Sequence, residues 1–119
     1  MILIVDDDPA ITTLLKLSFE LEGHFVVTAS NGVEALEMAR HVHPAAMVVD
    51  VMMPEMDGLE LIRRLRANPD TAEIPIVCLS AKALASDIEA GYAAGADDYV
   101  TKPVEPDEIV ERVRLRLIK

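Results

Sequence analysis

The sequence predicts a doubly wound α/β domain in which five parallel strands form one sheet covered by five helices. Three observations predict it. Short apolar runs alternate with longer stretches of helical period along the 119 residues. The runs are continuously apolar and rich in Val and Ile, as suits strands covered on both faces. Each connection is long enough to hold a helix, so successive strands can be joined by right-handed crossovers.

The first strand is Ile2 to Val5, "ILIV". Asp8 before Pro9 opens the first helix, because a carboxylate accepts from first-turn amides and proline fits the first helical position. Ile11, Leu14, Leu15 and Phe19 are expected on its buried face. Phe25 to Ala29 forms the second strand. Asn31 before Gly32 caps the second helix, with Ala35, Leu36 and Ala39 facing inward. The third strand, Ala45 to Val49, runs into Asp50. Asp57 before Gly58 caps the third helix, whose inner face carries Leu59, Ile62 and Leu65. Pro75 to Leu79 is the fourth strand and leads to Ser80. The fourth helix, about Lys82 to Ala94, is the weakest element: Gly91 interrupts it, and alanines supply much of its apolar face, so it is expected to be loosely held. Asp98 to Thr101 is the fifth strand. Ile109, Val110, Val113 and Leu117 mark the inner face of the fifth helix.

A chain of 119 residues is expected to form one domain with its own core. Its 51% hydrophobic and 27% charged residues are those of a globular protein. The net charge of -10 argues against direct contact with nucleic acid or an anionic membrane. The run after Met1 is too short for a signal peptide, and no later run reaches membrane-spanning length, so residence in the cytoplasm is the expectation. Cys78, alone within "PIVCLS", excludes a disulfide framework and reads as a small buried apolar group.

Ligands of doubly wound sheets bind beyond the carboxyl ends of the strands. The first strand ends in Asp6, Asp7 and Asp8, the third in Asp50, the fourth in Ser80, and the fifth in Thr101 and Lys102 before Pro103. Carboxylates crowded at one edge either hold protons or share a cation. Mg²⁺, which takes one or two carboxylates, waters and a phosphate oxygen, suits this inventory. With Asp8 used as a helix cap, Asp6 and Asp7 remain for the metal. Asp50, ionised beside a cation and a lysine, can attack phosphorus to form an acyl phosphate. Lys102 and the metal would neutralise phosphoryl charge while Ser80 offers a hydroxyl to a third oxygen.

The blocks "ILIVDDDP", "VVDVMMPEMDG", "IPIVCLSA" and "AGADDYVTKP", in that order, resemble the receiver domain of bacterial two-component response regulators. The resemblance implies a CheY-like sheet of strand order 2-1-3-4-5. It implies that Asp50 receives a phosphoryl group from the phosphohistidine of a sensor histidine kinase or a histidine phosphotransfer protein. Mg²⁺ would be held by Asp7, by Asp6 directly or through water, by Asp50 and by the backbone carbonyl of Met52. Lys102 would grip the phosphoryl group, with a cis bond to Pro103. Ser80 and Tyr99 match the switch pair: Ser80 moves to the phosphate, and Tyr99 turns inward into the vacated space. The surface formed by the fourth helix, fifth strand and fifth helix would then change, controlling an output domain or partner protein and offering a homodimer interface. Such a domain is a signalling unit that catalyses only its own phosphotransfer and autodephosphorylation. Met52 and Lys82, two residues beyond Asp50 and Ser80, flank the path of water to the acyl phosphate. Because Met52 cannot orient water by hydrogen bonding, self-dephosphorylation is expected to be slow to moderate.

Simpler roles exist for the same residues. Tandem aspartates before a helix complement its dipole, Lys-Pro is common in loops, Ser80 can cap the next segment, and Tyr99 can be plain packing. His24, His41 and His43 fall in helix-to-strand connections and read as surface residues. Met52, Met53 and Met56 read as loop packing around Pro54. The arginines of "RVRLRLIK" read as a solvated helix face, with Leu115 free to touch a partner. A haloacid-dehalogenase-type phosphoaspartyl hydrolase also begins with Asp after an apolar strand, but it needs an acid two residues on, where Met52 has no proton to give. A degenerate receiver that binds partners without phosphorylation is a second alternative, although Asp6, Asp7, Asp50, Ser80 and Lys102 are all present. Neither GxGxxG nor GxxxxGK[ST] follows the first strand, so nucleotide-binding readings fail.

Overall fold

The computed structural model describes residues 1–53, 56–103 and 105–117. Its elements, in order, are β1 (Ile2–Val5), α1 (Pro9–Leu21), β2 (Val26–Ala29), α2 (Gly32–Val42), β3 (Ala46–Asp50), α3 (Gly58–Ala67), β4 (Ile76–Ser80), α4 (Ala85–Ala94), β5 (Asp98–Thr101) and α5 (Pro106–Leu117). The strands are all parallel, as the alternation of apolar runs and helical stretches predicts, and pair in the order β2-β1-β3-β4-β5 that the family resemblance implies.

Strand side chains alternate between faces, and both faces are covered. Leu3, Val5, Met47, Val49, Ile76, Cys78 and Tyr99 pack toward α2, α3 and α4, whereas Ile2, Ile4, Val48, Val77, Leu79 and Val100 pack with Leu15, Phe19, Ile109 and Val113 of α1 and α5. Two-sided burial explains the continuous apolar runs. It also explains the inertness of Cys78, whose thiol is pushed up to about 12 by burial and by the neighbouring Asp50 charge.

The three expected caps form. The carboxylate of Asp8 accepts from Ala10 N at 2.9 Å, Asn31 Oδ1 from Glu34 N at 2.8 Å, and Asp57 Oδ1 from Glu60 N at 2.9 Å. Other expectations need correction. Phe25 precedes β2: its carbonyl accepts from Ile2 N at 2.8 Å, but its side chain is 81% exposed. Leu14 is 45% exposed, because the inward stripe of α1 is Ile11, Leu15 and Phe19 at four-residue spacing and Leu14 falls off its edge. On α3, Leu61 is fully buried beside Ile62 and Leu65. The helix α4 starts at Ala85 rather than Lys82, where the Asp87 carboxylate reaches back to Leu84 N at 3.2 Å. His41 lies in the last turn of α2 and meets Glu37 at 2.7 Å, His43 takes the left-handed position after that helix, and half-buried His24 packs edge-on against Phe19. Met53 is buried and Met56 half-buried, but Pro54, around which they were expected to pack, lies outside the described residues. Leu115 is exposed, off the buried face of α5, as expected. Among the described residues, no helix is long and apolar enough to cross a membrane.

Register is what positions the site. Val5 pairs with Val49, Asp50 with Leu79, and Ser80 with Thr101. The residues that end β1, β3, β4 and β5 therefore emerge side by side at one edge.

Candidate functional site

The acidic cluster is built by local backbone chemistry. Asp6 Oδ1 accepts from Asp8 N at 2.9 Å, and Asp8 in turn caps α1, so the turn after β1 is held by two consecutive aspartate contacts. That turn leaves Asp6 3% exposed and Asp7 open to solvent. Asp50, the last residue of β3, is 2% exposed, and the ladder continues past it through Val51 N to Leu79 O at 2.9 Å. The loop beyond it then folds back, with Gly58 N donating to Val51 O at 2.9 Å. A Cβ on Gly58 would collide with the Asp50 carbonyl and stand 2.7 Å from Val51 Cα, so only glycine permits this approach. In the sequence, Gly58 marked only the start of a helix.

Carboxylate oxygens of Asp6, Asp7 and Asp50 lie within 4.8 Å of one another. Lys102 Nζ stands 3.4 Å from Asp50 Oδ1 and 3.5 Å from Asp6 Oδ2, and the peptide bond from Lys102 to Pro103 is cis. Met52 N donates to Asp50 Oδ1 at 3.1 Å. Thus one ammonium is shared by two buried carboxylates with a third nearby. Burial first, and the Asp6 charge second, raise the Asp50 carboxyl from 3.8 to about 6, against the opposing pull of Lys102 and the Met52 amide. Lys102 therefore offsets only part of the cost of ionising Asp50. Three converging hard oxygens with uncompensated negative charge fit a small divalent cation.

Tyr99 already has the inward position that the expected switch gives it only after Ser80 has moved. Ser80 is fully buried, and its Oγ accepts from Lys82 N at 3.0 Å. Tyr99 already lies inward and buried, and its hydroxyl donates to Lys82 O at 2.8 Å. The Lys82 backbone therefore joins the two side chains, a link invisible in the sequence, where Lys82 was noted only for its offset from Ser80. A cleft of about 400 Å³ adjoins the cluster, bordered by Asp7, Met52, Asp57 and Lys82. Met52 is 53% exposed at its rim. A cavity of about 410 Å³ between the end of α1 and α5 lies away from these groups.

Arg66 was also missed. Its guanidinium donates to the carbonyls of Gly95, Ala72 and Ile74 at 2.9, 2.8 and 2.6 Å and to Asp97 at 3.0 Å. It ties the end of α3 to the entry of β4 and the exit of α4, but no single-sequence pattern distinguishes it from a solvated arginine.

A 2-1-3-4-5 parallel sheet with carboxylates and a lysine at its carboxyl edge defines the class as two-component receivers, and comparisons with known proteins agree. The sequence model of the response regulator receiver domain matches residues 2–114, and the chain belongs to that family. It is 47% identical over 116 residues to Response regulator MprA of Mycobacterium leprae, covering 98% of this chain and 50% of that protein. The chain spans about half the length of the curated relatives it matches. Among solved structures, the Francisella response regulator 1452 receiver domain superposes with a TM-score of 0.91 at 34% identity, covering 98% of this chain and 94% of that one. The receiver domain of sensor histidine kinase PA1611 from Pseudomonas aeruginosa, described with a magnesium ion coordinated in its active site cleft, gives 0.91 at 29% identity, covering 99% and 97%.

Proposed function

We propose that Asp50 is the phosphoacceptor of this receiver and that residues 1–119 act as one phosphorylation-operated signalling domain. The observation that carries the reading is the sharing of Lys102 between Asp50 and Asp6 within a three-carboxylate cluster. Asp6, Asp7 and Asp50, with the Met52 backbone carbonyl, would hold Mg²⁺. When bound, that ion supplies charge neutralisation for the cluster and for the transferring phosphoryl oxygens.

An Asp50 carboxylate oxygen attacks phosphorus of a phosphohistidine. The P–N bond breaks, its electron pair stays on the imidazole, and an acyl phosphate forms on Asp50. Lys102 orients the phosphoryl oxygens and offsets their charge. Ser80 turns its hydroxyl from Lys82 N toward a phosphoryl oxygen. Because Tyr99 hangs from Lys82 O, that exchange is transmitted toward α4, β5 and α5. From this arrangement Tyr99 is not required to swing inward; the switch tightens or releases a ring already in place.

The donor is a sensor histidine kinase or a histidine phosphotransfer protein, and the recipient of the signal is an output domain or a partner protein. A homodimer through α4-β5-α5 belongs to the same reading, as do residence in the cytoplasm, the absence of direct nucleic-acid contact by this domain, and catalysis limited to its own phosphorylation and dephosphorylation. Purified protein incubated with Mg²⁺ and acetyl phosphate and weighed by intact mass tests it. One added phosphate, absent in Asp50→Asn and without metal, supports the proposal. No gain even with a cognate kinase would favour the degenerate module, and steady phosphate release from many esters would favour the hydrolase.

A further inference from the structure

The glycine within α4 has a use that its helix does not explain. In a helix interior, glycine lowers the folding equilibrium by up to roughly fivefold relative to alanine. Yet Gly91 is buried, and a Cβ there would stand 2.5 Å from Tyr99 Cδ2 and 2.9 Å from Cε2. The Tyr99 ring therefore occupies the volume that a side chain at position 91 would take. The same ring ends in the hydroxyl bonded to Lys82 O at 2.8 Å, and Lys82 N is bonded to Ser80 Oγ at 3.0 Å.

We propose that Gly91 is a positioning residue: the missing side chain on α4 is the slot that seats Tyr99 inward, and through Lys82 it sets the geometry of Ser80 at the phosphorylation site. The proposal rests on the reading of Asp50, Ser80 and Tyr99 given above. Filling the slot leaves the ring two options. It swings outward and gives up its bond to Lys82 O, or α4 shifts away from β5. Either path releases the segment between Ser80 and α4. Coupling between sites is reciprocal, so whatever expels the ring changes retention of a phosphoryl group by the same factor that a phosphoryl group changes the seating of the ring. No residue is smaller than glycine, so every substitution at position 91 acts in one direction, and the effect should grow with side-chain size.

The test is a double-substitution cycle of Gly91→Ala and Tyr99→Ala in the purified chain. It is read by denaturant unfolding, by NMR of the tyrosine rings, and by affinity for beryllofluoride with Mg²⁺. With Tyr99 present, Gly91→Ala should lower stability although alanine is the better helix former. It should also move the Tyr99 ring signals and change beryllofluoride affinity at least about fivefold. With Tyr99→Ala, the same substitution should raise the folding equilibrium by up to roughly fivefold and leave beryllofluoride affinity unchanged. If Gly91→Ala does not fold, the double variant must; failure of both overturns the slot. Stabilisation by Gly91→Ala beside an intact Tyr99 overturns it too, as does the same change of affinity, or none, in both backgrounds. If the unaltered chain binds no beryllofluoride, the phosphoacceptor reading fails, and the sign of the stability change still decides whether the slot exists.

Discussion

Replacing Asp50 with asparagine should stabilise the metal-free protein. In the fold, burial and the Asp6 charge raise this carboxyl from 3.8 to about 6, so near neutrality the native state carries an ionised group it disfavours. About two units at ~1.4 kcal/mol each give an upper figure of about 3 kcal/mol. Asparagine keeps an oxygen for Met52 N but buries an NH2 group beside the Lys102 ammonium, which lowers the expected gain to about 1–3 kcal/mol, or a rise in Tm of roughly 4–12 °C for a domain of this size. The pH window follows from the direction of the shift. Between 3.8 and about 6 the folded chain binds the Asp50 proton more tightly than the unfolded chain, so this group's stabilisation is complete below pH 3.8 and is lost as pH rises through 6. In chelator-treated samples unfolded by urea, the gap between Asp50→Asn and the parent should be small near pH 4, open by pH 6 and stay level above. Saturating Mg²⁺ should stabilise the parent more than the variant and shrink the gap. An Asp50→Asn protein no more stable than the parent at pH 7 without metal, or a gap independent of pH, would refute the reasoning.

Other substitutions test neighbouring parts of the account. Gly58→Ala would drive a methyl into the Asp50 and Val51 backbone and should cost about 2–4 kcal/mol and weaken Mg²⁺ binding; parental stability in urea unfolding would contradict the close approach. Met52→Asn places a hydrogen-bonding group at the rim of the cleft and should shorten the acyl-phosphate lifetime several-fold, as followed by phosphate release; an unchanged lifetime would remove Met52 from the path of water.

The strands, the helices and the charges at the strand ends were legible because they depend on short-range rules, whereas the strand order came from the family resemblance. Asp6, Asp50 and Lys102 stand out as charges that end apolar strands, and parallel topology alone brings such ends to one edge. Asp8, Asn31 and Asp57 are readable as caps because the bonds they make span three residues or fewer. Features set by tertiary contact were not legible. The phase of a helix is fixed by its partners, which is why Leu14 turned outward and Leu61 inward. Gly91 looked like a weakness of α4 because the ring that fills its place arrives from eight residues later on another element. The hydrogen bonds of Arg66 to Gly95 and Asp97 join distant segments with no pattern between them. The cost of ionising Asp50 was not legible for the same reason: the sequence shows a lysine to pair with it, but only the structure shows how deeply both Asp50 and Asp6 are buried around that one cation.

The most direct measurement is to locate the phosphate. After treatment with acetyl phosphate and Mg²⁺, proteolysis and peptide mass mapping should place a hydroxylamine-labile phosphoryl group on Asp50, with none on Asp6, Asp7 or Ser80. A stable phosphate on a hydroxyl residue, or modification that persists unchanged in Asp50→Asn, would contradict the central claim.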